Sequence, residues 1–147
     1  MIRQSRNEDI NEIMEIWLNS NLEAHSFVES SFWKQHYEEV KEAIQNGVIV
    51  YEEDQKIKGF IGVIDSYVAG LFVAQSCRGK GIGKALLDFA KKQNTGLSLE
   101  AFAENKGAVA FYKREGFQII SEKENQHTKN QEYFMEWNNP DGSVQNE

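Results

Sequence analysis

Cys77-Arg78-Gly79-Lys80-Gly81-Ile82-Gly83-Lys84 is the stretch whose reading decides the fold. Ahead of it lies the apolar run Val68-Ala69-Gly70-Leu71-Phe72-Val73, and behind it the amphipathic Ala85-Leu86-Leu87-Asp88-Phe89-Ala90. The order is strand, glycine-rich turn, helix. Glycines at alternating positions leave backbone N–H groups unscreened by side chains at the helix start, where the positive end of the dipole already sits. Such a turn cradles an anion, and the natural anion is a phosphate or pyrophosphate.

Three classes of glycine loop compete for this stretch, and spacing separates them. A P-loop requires Ser or Thr directly after its lysine, to hold magnesium. Here Ala85 follows Lys84, so the nucleotide-triphosphatase reading fails. A dinucleotide fingerprint, G-x-G-x-x-G, places its third glycine at Lys84 or Leu86; Glu100 and Glu104 could serve as its acidic residue, but carboxylates are common and the match is weak. The third class fits: Arg78-x-x-Gly81-x-Gly83 resembles the Q/R-x-x-G-x-G/A signature of the GCN5-related N-acetyltransferase (GNAT) superfamily. A second block, running from Asn105 through Ala108, Phe111 and Tyr112 to Gly116-Phe117, resembles that family's later N-x-x-A-x-x-F-Y-x-x-x-G-F segment. Together the blocks cover roughly residues 67–120. Less specifically, His25-Ser26-Phe27 resembles the His-x-Phe loop after the first helix in small bacterial members.

The composition is that of an ordinary globular chain: 147 residues, 40% hydrophobic and 27% charged, enough to bury a sizeable core. One cysteine rules out an internal disulfide framework and suits a reducing cytoplasm. Cys77 reads as a small buried spacer beside the loop. No apolar run approaches the ~20 residues of a membrane span, and no signal peptide opens the chain, so a cytoplasmic location is expected. A net charge of −7 argues against nucleic acid as a partner. It is compatible with a cationic amine.

Along the chain, Ile2 to Ser5 alternates as a short first strand. Asn7 or Asp9 then caps a helix with Ile10, Ile13, Met14 and Trp17 on one face. Ser30 or Ser31 opens a second helix carrying Phe32, Trp33, Tyr37, Val40 and Ile44, ended by Gly47. Val48–Tyr51 and Ile57–Ile64 read as a hairpin around a charged turn at Glu52 to Lys56. Val68 to Val73 reads as a more central strand, apolar on both faces. Leu97 to Phe102 alternates as a strand, Asn105 caps a helix that Gly116 stops, and Phe117–Ile120 and Tyr133–Trp137 are the final strands. We therefore expect one α/β N-acetyltransferase domain over residues 1–138 and a frayed tail over 139–147. The resemblance implies the acyl-CoA N-acyltransferase fold: a mixed, strongly twisted, mostly antiparallel sheet flanked by helices and splayed between its fourth and fifth strands.

The resemblance also implies chemistry: acetyl transfer from acetyl-coenzyme A to a primary amine, by direct attack in a ternary complex and with no metal. Leu71, Phe72 and Val73 match the strand whose backbone pairs with the pantetheine arm like an added strand. A backbone N–H there, at Phe72 or Leu71, polarises the thioester carbonyl in family members. Arg78, Gly79, Lys80, Gly81, Ile82, Gly83 and Lys84 surround the pyrophosphate. Lysines near a helix start oppose the dipole, so their presence makes more sense with an anion there. Asn105, Ala108 and Phe111 complete the cofactor set. Tyr112 matches the tyrosine that protonates the departing thiolate in many members. One departure stands out: many members carry proline where this chain has Gln75, which affects the rigidity of the loop.

An alkyl amine of pKa ~10.4 is protonated at neutral pH and needs a base, direct or through water. Glu100, Glu23, His25 and Asp65 are the candidates, and no motif picks one. Acceptor choice is expected to lie in the first helices and the 22–33 loop, where His25, Phe27, Phe32, Trp33, His36 and Tyr37 form an aromatic set suited to a small amine or a peptide amine. The expected oligomer is a monomer or homodimer. The rival reading from another class is an acyl-coenzyme A sensor or interaction module without turnover; an intact Tyr112 argues against it.

Overall fold

The computed structural model describes residues 1–140; the rest of the expected tail, 141–147, lies outside the described residues. Seven strands form one open, mixed sheet in the order β1-β2-β3-β4-β5-β7-β6, flanked by helices. The strands are β1 (Ile2–Gln4), β2 (Ile49–Glu53), β3 (Lys56–Ile64), β4 (Tyr67–Val73), β5 (Gly96–Phe102), β6 (Gln118–Glu124) and β7 (Gln131–Asn138). Pairing is antiparallel for β1–β2, β2–β3, β5–β7 and β6–β7, and parallel for β4–β5, where Tyr67 lies opposite Ser98. The chain divides into two compact units, one of Met1–Val63 with Ala69–Leu87 and one of Ile64–Val68 with the residues from Asp88 onward.

In the first unit, α1 (Ile10–Ala24) buries Ile13, Met14 and Trp17, the stripe that a 3.6-residue period places on one face. Asp9 does not cap α1 with its side chain. Its carboxylate takes two bonds from Arg3, at 2.8 and 3.0 Å, and one from the Arg6 N–H at 2.7 Å. Arg3 also holds Glu52 at 2.9 Å, which ties β1 to β2 through a nearly buried guanidinium and a half-buried carboxylate.

The expected single helix from Ser30 to Ile44 is two helices, α2 (Ser30–Gln35) and α3 (Tyr37–Ile44), broken at His36. His36 leaves the helical region at φ −94°, ψ 1°; its N–H closes α2 on Phe32 and Trp33, and its carbonyl starts α3 through Val40. Trp33 and Tyr37 both reach Trp17 edge-on, with centroids 6.1 and 6.3 Å away. Periodicity correctly puts both rings on one face, but one bent pair of short helices satisfies that pattern as well as a straight one. The β2–β3 turn is tighter than expected: Asp54 and Gln55 alone make it, both at positive φ, the signature of a two-residue hairpin.

In the second unit, α5 (Lys106–Arg114) is capped as expected, the Asn105 side chain accepting from Ala108 N–H at 3.2 Å. Gly116 stops it at φ +96°. Leu97 and Leu99 of β5 and Met135 of β7 are buried. β6 runs on to Glu124, beyond the expected Ile120, and is exposed along its whole length at the edge of the sheet.

Candidate active site

β4 is not the closed core strand that its apolar run suggests. Val68 is buried, but Leu71, Phe72 and Val73 are only half-buried and Ala69 is exposed. A strand with apolar residues left half-open suits a ligand lying along it. From Val73 the chain passes through a short 3-10 turn, Gln75–Cys77, into the glycine loop and then α4 (Ile82–Lys92). Cys77 is buried at 6% exposure, a packing residue under the loop.

Gly79 and Gly81 adopt φ of +78° and +83°, a region that L side chains rarely enter, and a Cβ at either would meet nothing among the described residues within 4 Å beyond its chain neighbours. Steric crowding therefore does not demand these glycines; the backbone conformation does, and with no side chains there the loop's backbone N–H groups stay unscreened. The first helical bond of α4 runs from Ala85 N–H to Gly81 O, 3.0 Å. The N-terminal dipole end thus opens at Gly81–Gly83. Ile82, Leu86 and Leu87 are buried and seat the helix. Gly59 on β3 makes room for it: a Cβ there would come 2.8 Å from Phe72 O and 3.2 Å from Ile82 Cγ2. Arg78 donates from Nε to Val73 O at 3.3 Å and from Nη1 to Glu23 Oε1 at 2.5 Å. The geometry fits a diphosphate.

His25 ends α1 inside the aromatic set. Its Nδ1 lies 2.9 Å from Asn21 Oδ1, and its ring stacks on Trp33 at 5.5 Å and meets Phe27 edge-on at 5.6 Å. Asn21 is buried and spends its amide N–H on Trp17 O, so its oxygen accepts and the His25 proton sits on Nδ1. Burial pushes the imidazole down to about 4, so His25 is neutral at physiological pH and a weak base. The neighbouring Trp33 indole N–H is buried without a hydrogen-bond partner among the described residues.

The second unit holds Tyr112 and Glu100. Tyr112 is buried on α5, its ring edge-on to Phe111 at 5.3 Å and Phe117 at 5.5 Å. Burial pushes its phenol above the ordinary value, so it keeps its proton throughout the neutral range. Glu100 accepts from Tyr67 OH at 3.0 Å and pairs with Lys123 Nζ at 2.7 Å. Burial raises its carboxyl, but the bonds from Lys123 and Tyr67 outweigh that and hold it below the usual value. Of the remaining base candidates, Glu23 is engaged by Arg78, and Asp65 is exposed in the tight turn before β4 at φ +51°. Tyr67, Lys123 and Glu132 were not singled out by any motif. The alternation of β5, β6 and β7 was the available signal, and it becomes usable only once register is known.

A family model described as the acetyltransferase (GNAT) domain matches residues 45–119, the span that contains both the glycine loop and the Tyr112 block. The chain belongs to this family. The peptidyl-lysine N-acetyltransferase YiaC of Escherichia coli is 32% identical over 142 residues, covering 93% of this chain and 96% of that protein. The solution structure of apo YjaB from Escherichia coli superposes with a TM-score of 0.75 at 24% identity, over 93% of this chain and 96% of that one. A GCN5-related N-acetyltransferase from Rhodopseudomonas palustris gives a TM-score of 0.79 at 16% identity, over 94% of each chain. The last two establish the fold. As a GNAT member the chain is an acyltransferase that moves an acetyl group to an amine.

Proposed function

We propose that residues 1–138 transfer the acetyl group of acetyl-coenzyme A to the ε-amine of a lysine in a protein or peptide, by direct attack within a ternary complex. The glycine loop carries the cofactor half of this reading: two left-handed glycines, open on their Cβ side, at the positive end of α4 and beside Arg78. The acceptor half rests on the relatives, YiaC and YjaB, both named peptidyl-lysine N-acetyltransferases. A cytoplasmic location and a monomeric or homodimeric state go with this reading as proposals.

In this scheme the backbone of Arg78 to Lys84 grips the diphosphate. Leu71, Phe72 and Val73 pair with the pantetheine arm, with a backbone N–H of Leu71 or Phe72 polarising the thioester carbonyl. Asn105, Ala108 and Phe111 line the remaining cofactor contacts. When the amine nitrogen bonds to the carbonyl carbon and the C–S bond breaks, the thiolate collects a proton from Tyr112. A buried phenol is a weaker acid, but desolvation raises the pKa of a thiol as well, so transfer inside a dry site stays nearly matched. The acceptor ammonium must lose a proton first, to Glu100 or His25, directly or through water.

Coenzyme A release, followed with a panel of lysine peptides and with small amines, tests the reading. Peptide-dependent release supports it. Tight acetyl-coenzyme A binding with no release on any amine sinks it and leaves an acyl-coenzyme A sensor.

A further inference from the structure

Lys123 carries a primary alkyl ammonium, the same chemical group as a lysine acceptor, and that ammonium sits 2.7 Å from Glu100 Oε2. Register shows what surrounds the pair. On β5 and β7, Glu100 lies opposite Phe134 and Phe102 opposite Glu132; on β6, Lys123 lies opposite Glu132. Opposed residues share a face and successive residues alternate. Glu100, Phe102, Lys123, Glu132 and Phe134 therefore occupy one face, while Leu97, Leu99 and Met135 point into the buried one. The first face combines two carboxylates with two phenyl rings, which together suit the charged head and aliphatic stem of a lysine. Tyr67 closes it with the hydroxyl bonded to Glu100 Oε1.

We infer that Lys123 is a resident stand-in for the acceptor: an incoming lysine reaches Glu100 by displacing the Lys123 ammonium, and Glu132 shares the new cation. This inference rests on the proposed lysine acetylation. The exposures agree with a displaceable occupant. The Lys123 side chain is 62% exposed and that of Glu100 25%, so the amine swings into solvent at small cost while the carboxylate stays. Charge gives the driving force. Burial and the negative charge of Glu100 both raise the Glu132 carboxyl, while Asn125 and Lys123 lower it. Two neighbouring carboxylates that lose one cation favour taking up another. Lys123 thereby sets acceptor affinity without touching the reacting atoms, which makes it a specificity residue of the strand face rather than of the 22–33 loop.

The test compares wild type with Lys123→Met and Lys123→Arg. An exposed ion pair of this kind is worth a factor of about two to five. Lys123→Met should therefore lower the KM for a lysine peptide by about that factor and leave kcat within about twofold, while Lys123→Arg keeps the wild-type KM. A second readout needs no turnover: binding of Nα-acetyl-lysine methylamide, followed through the 13C signal of the Glu100 carboxyl, should tighten in Lys123→Met. Unchanged or weaker binding of that probe, or a KM that does not fall, overturns the inference. Absence of coenzyme A release from the wild type with every lysine peptide overturns the proposed reaction instead, and the probe titration still decides the role of Lys123.

Discussion

Glu23, one residue from the end of α1, and Arg78, in the glycine loop, form an ion pair of 2.5 Å across 55 positions of sequence. Both side chains are about 40% exposed. The guanidinium is also held by Val73 O, so its charge is already partly spent before any diphosphate arrives. Surface pairs are weak, with a median near 0–1 kcal/mol, but an anion approaching Arg78 also meets the Glu23 carboxylate.

Removing that competition gives the first prediction. Glu23→Gln should tighten coenzyme A binding by about two- to fivefold at low salt, and the gain should fade near 0.5 M salt, where the Debye length shrinks to about 4 Å. Calorimetry at the two ionic strengths reads both effects. Weaker binding in the variant would mean that Glu23 orients Arg78 for the ligand instead of competing for it.

Gly81 should be needed for the ligand more than for the fold. A left-handed conformation costs an ordinary side chain about 1–2 kcal/mol, and beyond its chain neighbours no atom of the described residues lies within 4 Å of a Cβ placed there. Gly81→Val should therefore shift the melting temperature by a few degrees and lower coenzyme A affinity by more than about tenfold, as the loop flips to relieve the strain and the branched side chain screens the amides. Unchanged affinity in titration calorimetry would count against the cradle.

Tyr112→Phe should keep the fold, because the ring contacts with Phe111 and Phe117 survive. Loss of a positioned proton donor costs about 10²–10⁴ in rate. Stopped-time assays should show kcat reduced on that scale with the KM for acetyl-coenzyme A little changed. A variant as fast as wild type would remove Tyr112 from the chemistry. Since burial raises the phenol, the wild-type profile should also show no loss of activity from its ionisation below about pH 10.

His25 makes a prediction about stability. Its imidazole titrates near 6.5 in the unfolded chain and at about 4 in the fold, with burial as the cause. Between those values the unfolded state binds more protons, so stability falls as pH drops from 6.5 toward 4. Melting temperatures measured at pH 7 and pH 5 should show this loss in wild type and a smaller one in His25→Phe, whose ring can take the place on Trp33. Equal slopes in the two proteins would show that His25 is solvated.

Much of the fold was legible because it is written in short-range rules. The glycine loop announced itself through alternating glycines, and the left-handed Gly79 and Gly81 are what such a loop requires. Asn105 and Gly116 bracket α5 as cap and stop, each acting on backbone within four residues of itself. Features set by contacts distant in sequence are not written in short-range rules. Trp33 and Tyr37 both reach Trp17 with the chain broken at His36 between them, a bend that the spacing of the apolar residues does not record. The apolar run Val68 to Val73 reads as a central strand, yet Leu71, Phe72 and Val73 are half-open, because such a run does not record whether anything covers it.

The sequence by itself determined most of the order of elements, the glycine-rich turn between β4 and α4 and the family, since backbone conformation and glycine tolerance are properties of a few adjacent residues. Tertiary structure alone decided which ionisable groups meet. It brought Arg78 to Glu23 and Lys123 to Glu100, and it pushed His25 down and Tyr112 up. Charge interactions and desolvation depend on distance and surroundings in space, and strand register and helix packing set both.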